Sequence, residues 1–407
     1  MDSELFNFIK VWITAITSLV YCYYVVSLIP RGIIRLLSLL PIIYLFCILP
    51  LNISSFNLCG PTIFYLVWLG NFKLILFSFG QGPLSPQPPL SLLHFISVAL
   101  FPIKTKQDPS PKSHPNAQKN TDPSLKSSQN AKTSSDPSLK SPQNAKRSSD
   151  PSLQSPATAK SNKNPSANSN SSPDPDSKFD KSLGRKALFV LKVVLLAVII
   201  RVYDYRQDLH PYVILALYCC HLYLAVELVL AITAAPLRAI LGFEIEPQFN
   251  EPYLATSLQD FWGRRWNLMV TSILRPTVFY RVRRISTRVV GKLWGLQVAY
   301  LASFLVSGLM HEIIYFYLTR VSPTWEVTWF FVLHGVCTGV EVAAKTAVNG
   351  RFRLHRAVSG PLTLAFVAVT GAWLFFPQII RNGVDLKVIR EYEELVSFVR
   401  EKLSFNF

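Results

Sequence analysis

The chain has 407 residues, of which 50% are apolar and 16% are charged, and its formal net charge is +17 at pH 7. So few charges exclude an ordinary soluble globular domain, in which about a quarter of the residues are charged. The positive charge does not indicate nucleic-acid binding, because the basic residues near the apolar runs lie in the connections between them, as the positive-inside rule describes.

Eight apolar runs are long enough to cross a bilayer, whose hydrocarbon core of about 30 Å requires about 20 helical residues. They are residues 5–29, 33–51, 56–79, 187–203, 211–232, 294–318, 327–347 and 357–376. Two shorter apolar runs, residues 90–101 and 268–280, are expected to lie in the interface or to re-enter the membrane. The sequence therefore predicts an all-α polytopic membrane protein with about eight transmembrane helices.

Neither the N-terminus nor the six cysteines indicate a secreted or metal-binding protein. The chain begins with the acidic sequence MDSE, whereas a cleaved signal peptide begins with a basic region, so we expect the first span to remain as an anchor. The cysteines lie in or beside apolar runs and lack the paired spacing of metal ligands. We interpret them as small buried apolar side chains and assign neither a disulfide nor a metal.

Residues 104–186 interrupt the apolar pattern with serine, proline, asparagine and lysine, and a 14-residue unit recurs there from Asp108, Asp122, Asp136 and Asp150. Each repeat has at most one leucine, too little apolar surface to stack as a folded solenoid or to offset the entropy of ordering. A disordered, solvated linker is favoured over a partner-binding segment. The linker separates an N-terminal transmembrane region, residues 1–103, from a second transmembrane region, residues 187–380. A C-terminal tail, residues 381–407, follows the second region.

The connection at residues 233–293 contains a dense group of aromatic and charged side chains. The group consists of Asp260, Phe261, Trp262, Arg264, Arg265, Trp266 and Asn267. Anchoring of tryptophan and arginine at headgroup depth accounts for the composition, but it does not require this ordered cluster. A loop that binds a phosphate-bearing ligand at the membrane surface would use guanidinium groups in this way.

His311 and Glu312 lie inside the apolar run at residues 294–318. A carboxylate at the centre of a span costs about 2.5–3.5 kcal/mol on insertion scales, so such residues normally face a cavity or a polar partner. Ser307 and Gly308 precede His311 by one turn and leave space beside the imidazole. A lone histidine is more often structural than catalytic, but two adjacent ionisable residues on different helix faces are harder to explain by packing.

A second pair, His334 and Glu341, shares a helix face in the next span. Glu341 precedes Lys345 by four residues, which is the favourable order for an ion pair within a helix. We therefore interpret this pair as structural.

Two segments resemble the membrane-bound O-acyltransferase superfamily, and within it the plant wax synthase-like branch of long-chain-alcohol and sterol acyltransferases. They are PYLATSLQDFWGRRWN at residues 252–267 and SGLMHEIIYFY at residues 307–317, with weaker support from WLGNFKLILFSFGQGPL at residues 68–84. The repeated insert departs from the family pattern.

The resemblance implies a tunnel between helices in which a lipid alcohol receives a fatty acyl group from acyl-CoA, with no metal and no cofactor. It assigns His311 as the base, Asn267 as its companion polar residue and Glu312 as a support for the pocket. The loop residues Asp260, Phe261, Trp262, Arg264, Arg265 and Trp266 are expected to help bind acyl-CoA. It also implies a multi-pass protein of the endoplasmic reticulum membrane, with the acceptor open between a long-chain alcohol and a sterol.

Two other classes of function remain open at this point. A transporter or channel would place His311 and Glu312 on an ion path, but transporters commonly have duplicated halves, and the sequence has one such buried pair and one such loop. A non-catalytic lipid-binding relative is the second alternative, because a fold does not determine a function.

Topology gives a prediction that needs no assay of catalysis. Basic residues flank the spans at Arg31, Arg35, Lys104, Lys106, Arg264, Arg265, the run Arg281 to Arg288, and Arg351 to Arg356. A luminal N-terminus with eight spans places them in the cytosol. The acceptor sequence Asn170-Ser171-Ser172 should then carry no glycan in microsomes, and added protease should cut residues 104–186 in sealed vesicles. A glycan at Asn170, or a linker protected until detergent is added, would invert this topology.

Overall fold

The structure, a computed structural model, describes residues 2–103, 175–242, 247–348 and 354–404. These residues form helices joined by short connections, and no β-strand occurs among them, so the all-α prediction is confirmed. Most of the predicted linker, including the repeats and Asn170, lies outside the described residues, as do Arg351 and Arg353. The chain divides into a unit of Met1–Pro109 with Ala187–Phe407 and a second unit, Ser110–Lys186. In the second unit only the first part of one helix, from Pro175, is described.

The helices before the linker are α1 (Asp2–Tyr24), α2 (Ile33–Ile48), α3 (Phe56–Ile63), α4 (Asn71–Ser78) and α5 (Leu92–Leu100). Those after it are α6 (Pro175–Val202), α7 (Pro211–Leu241), α8 (Leu258–Asp260), α9 (Leu268–Leu274), α10 (Tyr280–Thr319), α11 (Glu326–Ala347), α12 (Arg356–Thr370), α13 (Pro377–Arg381) and α14 (Val384–Ser404). Four π-helical turns connect or follow them, at Phe64–Gly70, Phe261–Arg265, Arg275–Phe279 and Gly371–Phe375. The largest apolar core joins α1 to α5 with part of α10.

Seven segments among the described residues are long and apolar enough to cross a membrane. They are Ser3–Leu28, Ile33–Asn52, Phe56–Ser78, Pro211–Leu237, Leu268–Thr319, Glu326–Ala347 and Arg356–Arg381. Seven of the eight predicted spans agree with these segments, two of them extending one residue beyond the observed end, so a multi-pass membrane protein is confirmed.

The remaining predicted span, residues 187–203, lies largely in the second part of α6, where Lys192 and Arg201 reduce the apolar character. This part of α6 runs antiparallel to α7. The Lys192 Nζ atom lies 2.6 Å from an oxygen of Glu227, and the Tyr203 hydroxyl lies 3.1 Å from His221 Nδ1. The apolar part of α6 therefore lies beside a candidate span, and the eighth crossing stays a prediction.

The segment Leu268–Thr319 is a helical hairpin rather than one straight span. Gly291 has φ +82°, a left-handed conformation that breaks α10 and that favours glycine. Across the break the Ser286 hydroxyl donates to the Gly295 carbonyl oxygen at 3.0 Å. The rings of Phe279 and Tyr300 are 5.2 Å apart, although 21 residues of straight helix would separate them by about 30 Å. The short apolar run at residues 268–280 thus lies in the first arm of the hairpin, before Gly291. This arm packs against the second arm, which carries His311.

Arg35 does not lie in a connection as expected, because it is in the first turn of α2 and is buried. Its guanidinium donates to the Ile29 carbonyl oxygen at 2.8 Å and to the Ser27 carbonyl oxygen at 2.9 Å. These are carbonyls at the end of the α1 segment, where no helical N–H reaches them. Arg35 therefore joins α2 to the end of the preceding segment.

The short apolar run at residues 90–101 forms α5, which packs into the core through Phe95, Val98 and Leu100. The Lys73 side chain of α4 is fully buried, and its ammonium donates to the carbonyl oxygens of Val98 and Phe101, each at 2.6 Å. The last carbonyls of a helix have no partner within it, and a cation there is favourable. Lys73 therefore ties α5 to the apolar core.

Lys73→Met is expected to lower the midpoint of thermal unfolding in detergent, followed by intrinsic fluorescence. The substitution leaves buried carbonyl groups without their donor, which costs about 1–3 kcal/mol for each unsatisfied group. Lys10→Met is the matched control, because Lys10 on α1 is exposed. An unchanged or raised midpoint for Lys73→Met would contradict the role of the ammonium as a cap of α5.

Candidate active site

A cavity of about 830 Å³ lies among α3, α7, the α9–α10 hairpin, α11 and α14. Its volume is within the roughly 300–1,000 Å³ that ligand sites occupy, and most of its lining is apolar or aromatic. His311 and Asn267, which come from distant parts of the sequence, both border it. The structure therefore brings the predicted base and its companion amide to one cavity.

The His311 ring is held between aromatic side chains. It stacks on Phe331 with ring centres 4.3 Å apart, meets Trp68 edge-on at 5.2 Å, and lies 5.9 Å from Phe375. The Nδ1 atom is 2.7 Å from the Ser307 carbonyl oxygen one turn earlier. Because a carbonyl oxygen only accepts, Nδ1 carries the proton and Nε2 carries the lone pair.

No hydrogen bond joins His311 Nε2 to any other group in the part of the chain that the structure describes. The ring borders the cavity, so the lone pair is available to a ligand. A neutral imidazole with a free nitrogen is what a general base requires.

Small residues set how closely α10 and α11 approach beside His311. A Cβ atom on Gly308 would lie 3.0 Å from the Thr328 Cα atom, and one on Gly335 would lie 2.9 Å from the Phe304 Cβ atom. Gly308 therefore allows close contact with α11 instead of leaving the expected space beside the imidazole, whereas Ser307 borders the cavity.

 The close contact between α10 and α11 holds the Phe331 ring of α11 against the His311 imidazole of α10.

Asn267 caps the N-terminus of α9 in a left-handed conformation, with φ +36°. Its Oδ1 atom accepts from the Val270 N–H at 3.3 Å. Because an N–H group only donates, the oxygen of the side-chain amide faces the cap, and the two Nδ2 hydrogens remain for another acceptor. The residue borders the cavity, so Asn267 offers an amide donor to a ligand.

Glu312 is buried and does not border the cavity that His311 borders. One of its oxygens accepts from the Thr328 N–H at 3.2 Å, in the first turn of α11. A carboxylate is favourable there because the first N–H groups of a helix lack partners and the dipole is positive at that end. The structure thus places Glu312 at the junction of α10 and α11, behind the site.

The predicted loop divides into residues that border the cavity and residues that hold the loop. Trp262, Arg264 and Trp266 border the cavity, and Asp260, Phe261 and Arg265 do not.

Asp260 and Arg265 form the internal support of the loop. The Arg265 Nε atom lies 2.7 Å from Asp260 Oδ2, and Arg265 Nη1 donates to the carbonyl oxygens of Asn250 and Glu251 at 3.2 and 3.1 Å. With its guanidinium already paired in this way, Arg265 is less suited than Arg264 to bind a ligand phosphate.

His334 is a structural residue, in agreement with its interpretation from the sequence. Its Nδ1 atom accepts from the Trp262 indole N–H at 3.0 Å, and its Nε2 atom lies 2.9 Å from the Thr370 hydroxyl. The ion pair that the sequence predicts between Glu341 and Lys345 is present at 2.6 Å. Glu341 also accepts from the Leu258 N–H at 2.8 Å, so α11 holds both the start of α8 and the π-helical turn that follows it.

Three arginines border the cavity, namely Arg264, Arg275 and Arg283. Arg264 and Arg283 are exposed, and Arg275 donates to the Gly263 carbonyl oxygen at 3.0 Å. Arg275 has no sequence signal, because it is an isolated charge within the short apolar run at residues 268–280. Arg275 directly follows the short helix α9, and its side chain reaches back to the loop that precedes this helix.

The C-terminal segment is a second feature that sequence reasoning missed. The sequence predicts only a tail at residues 381–407, but this region contains α14, whose residues Val388 and Tyr392 border the cavity. The only available signal was the alternation of apolar and charged residues at helical spacing.

Comparison with known proteins gives two findings. Residues 245–333 match the family described as Membrane bound O-acyl transferase family. The chain is 48% identical to the Long-chain-alcohol O-fatty-acyltransferase of Simmondsia chinensis over 404 residues, which cover 99% of this chain and 98% of the relative.

Two relatives from Arabidopsis thaliana are similar over nearly their whole length. The Probable long-chain-alcohol O-fatty-acyltransferase 1 is 44% identical over 96% of each chain, and the Acyl-CoA--sterol O-acyltransferase 1 is 40% identical over 98% of each chain. Identity at this level over the full length shows common ancestry of the whole membrane region. The chain therefore belongs to the membrane-bound O-acyltransferase family and is an O-acyltransferase.

Proposed function

We propose that this protein transfers a fatty acyl group from acyl-CoA to the hydroxyl group of a lipid alcohol, in the endoplasmic reticulum membrane. The observation that carries the proposal is His311, whose Nδ1 proton is held by the Ser307 carbonyl oxygen while its other nitrogen is open to an apolar cavity. Membership of an O-acyltransferase family sets the transporter and channel alternatives aside. The relatives' names support an alcohol acceptor, either a long-chain alcohol or a sterol.

In this mechanism His311 Nε2 accepts the hydroxyl proton as the alcohol oxygen attacks the thioester carbonyl carbon. Such proton transfer contributes about 10²- to 10⁴-fold in rate. The tetrahedral intermediate then expels the thiolate of CoA, which receives the proton from the imidazolium. The products are an ester and free CoA, and neither a metal nor a cofactor takes part.

Asn267 is the proposed donor to the carbonyl oxygen as that oxygen becomes negative. The cap to Val270 fixes the direction of the amide, so its Nδ2 hydrogens are oriented before the substrate binds. Removing one such preorganised donor costs about 10²- to 10³-fold in turnover.

The arginines at one end of the cavity are the proposed site for the phosphates of CoA. Guanidinium groups bind phosphate oxygens through paired, charge-assisted hydrogen bonds, and Arg264 and Arg283 are exposed at the cavity. The predicted topology places this end in the cytosol. The apolar remainder of the cavity would accommodate the hydrocarbon parts of both substrates and exclude water from the acyl group.

His311→Ala is expected to lower ester formation by about 10²-fold or more, because it removes the proton acceptor. The assay uses purified protein in detergent or nanodiscs, labelled acyl-CoA and either a long-chain alcohol or a sterol. His210→Ala is the control, because His210 is exposed and does not border the cavity. Near-normal turnover by a folded His311→Ala protein would rule out His311 as the base.

Asn267→Asp separates the cap of α9 from the proposed donor. Aspartate keeps an oxygen for the Val270 N–H but has no amide hydrogen, so we expect normal thermal stability and a fall in kcat of about 10²-fold. Acyl-CoA binding, measured separately by equilibrium binding, should change much less. A variant that binds acyl-CoA weakly and retains kcat would assign Asn267 to substrate binding.

A further inference from the structure

Helix α14 has one face toward the cavity and another away from it. Val384, Asp385, Val388, Ile389 and Tyr392 border the cavity, and their spacing places them on one side of a helix. Leu386 on the other side is exposed. The helix is therefore a wall of the cavity.

Hydrogen bonds hold this wall to the start of α3. The Glu391 carboxylate accepts from the Ser55 hydroxyl at 2.9 Å and from the N–H groups of Phe56 and Asn57 at 2.6 and 2.9 Å. The Lys387 ammonium donates to the Ser54 carbonyl oxygen at 2.6 Å. A carboxylate at the N-terminus of a helix supplies partners for its first N–H groups, so α14 is fixed where it lies.

Polar side chains of α7 also meet the inner face of α14. The Tyr218 hydroxyl donates to Asp385 at 2.7 Å, and His221 Nε2 lies 3.4 Å from the Tyr392 hydroxyl. All four residues border the cavity. This end of an otherwise apolar cavity therefore contains hydroxyl, imidazole and carboxylate groups.

The α14 end and the arginine end lie at opposite ends of the segment Phe56–Ser78, whose Trp68 contacts the His311 ring. Glu391 of α14 bonds to Phe56 at its start, and Arg281, two residues before Arg283, donates to Gln81 beyond its end at 2.9 Å. Toward the arginines, Phe331 stacks on His311 and its ring is 5.7 Å from Trp262 of the loop.

Toward α14, the contacts run from His311 to Phe375, then to Phe376 at 5.4 Å and to Tyr218 at 6.3 Å. Tyr218 of α7 lies at the α14 end, and Leu230 of the same helix packs near Trp266 of the loop. The two residues are 12 positions apart, which is about 18 Å along a helix. The cavity thus has two distinct ends with His311 between them.

We propose that the α14 end binds the apolar body of the acceptor alcohol and that the inner face of α14 determines which alcohols fit. The inference rests on the proposed function. CoA phosphates at the arginine end leave the α14 end for the second substrate, whose hydroxyl must reach His311. An acyl chain has no hydrogen-bonding group along its length, whereas the hydroxyl of an acceptor alcohol can exchange partners with the polar groups of α7 and α14 as it passes them on the way to His311.

Val388 lies at the centre of this wall, and substitutions there by larger and smaller side chains test the assignment. Val388→Phe should lower kcat/KM for the longest alcohols and for sterols by about tenfold or more relative to short alcohols, the discrimination that apolar pockets achieve by size. Val388→Ala should shift the preference toward larger acceptors. Leu386→Phe, on the exposed side, should change neither. The order of preference among acyl-CoAs of different length should stay the same in all three variants.

A shift in acyl-CoA chain-length preference, or an equal loss with every alcohol, would overturn the assignment of α14 to the acceptor. Photolabelling tests the same site without turnover. A fatty alcohol with a diazirine at its chain end should label the α14 peptide in wild-type protein, and excess unmodified alcohol should prevent the labelling. An acyl-CoA with a diazirine at its acyl end should label elsewhere.

The two failures are distinguishable. Labelling of α14 by the alcohol in a protein that transfers no acyl group would support the acceptor site and contradict the proposed function. Active protein whose α14 is labelled by the acyl-CoA, or is not labelled by the alcohol, would overturn the acceptor site alone.

Discussion

The hydrogen bond from His311 Nδ1 to the Ser307 carbonyl oxygen is the interaction on which the site depends. It forms within one helix, between residues four apart, so it needs no other element to set its geometry. It fixes the tautomer and leaves the Nε2 lone pair toward the cavity. Aromatic contacts with Phe331 and Trp68 then limit the rotation of the ring. An imidazole oriented in this way loses little entropy when a hydroxyl group reaches it.

The surrounding structure keeps the His311 helix against its neighbours. Glu312, adjacent in sequence but on another face, holds the first turn of α11 through the Thr328 N–H, and α11 carries Phe331. Trp262 donates to His334, also on α11, which places the loop beside the same helix. One helix therefore positions both the Phe331 ring that packs on His311 and the loop that precedes Asn267. His311 borders the cavity and Glu312 holds α11. These separate contacts explain why two ionisable residues occur side by side in an apolar span.

Local patterns predicted the features that depend on residues close in sequence. Apolar runs predicted seven of the spans that the structure contains, and the four-residue spacing predicted the pair of Glu341 and Lys345. Contacts between distant residues carry no such signal. The bond between Trp262 and His334 joins residues 72 apart, and the charged residues of α14 give no sign that its other face borders a cavity. The roles of His311, Asn267 and the arginines stay predictions.

A structure determined by electron cryomicroscopy with a non-reactive acyl-CoA analogue and an acceptor alcohol would test the account most directly. The alcohol oxygen should lie about 2.6–3.2 Å from His311 Nε2, within hydrogen-bond distance. The phosphates of the analogue should lie at Arg264 and Arg283, at the end of the cavity opposite α14. An alcohol hydroxyl bound away from His311, or CoA phosphates at the α14 end, would contradict it.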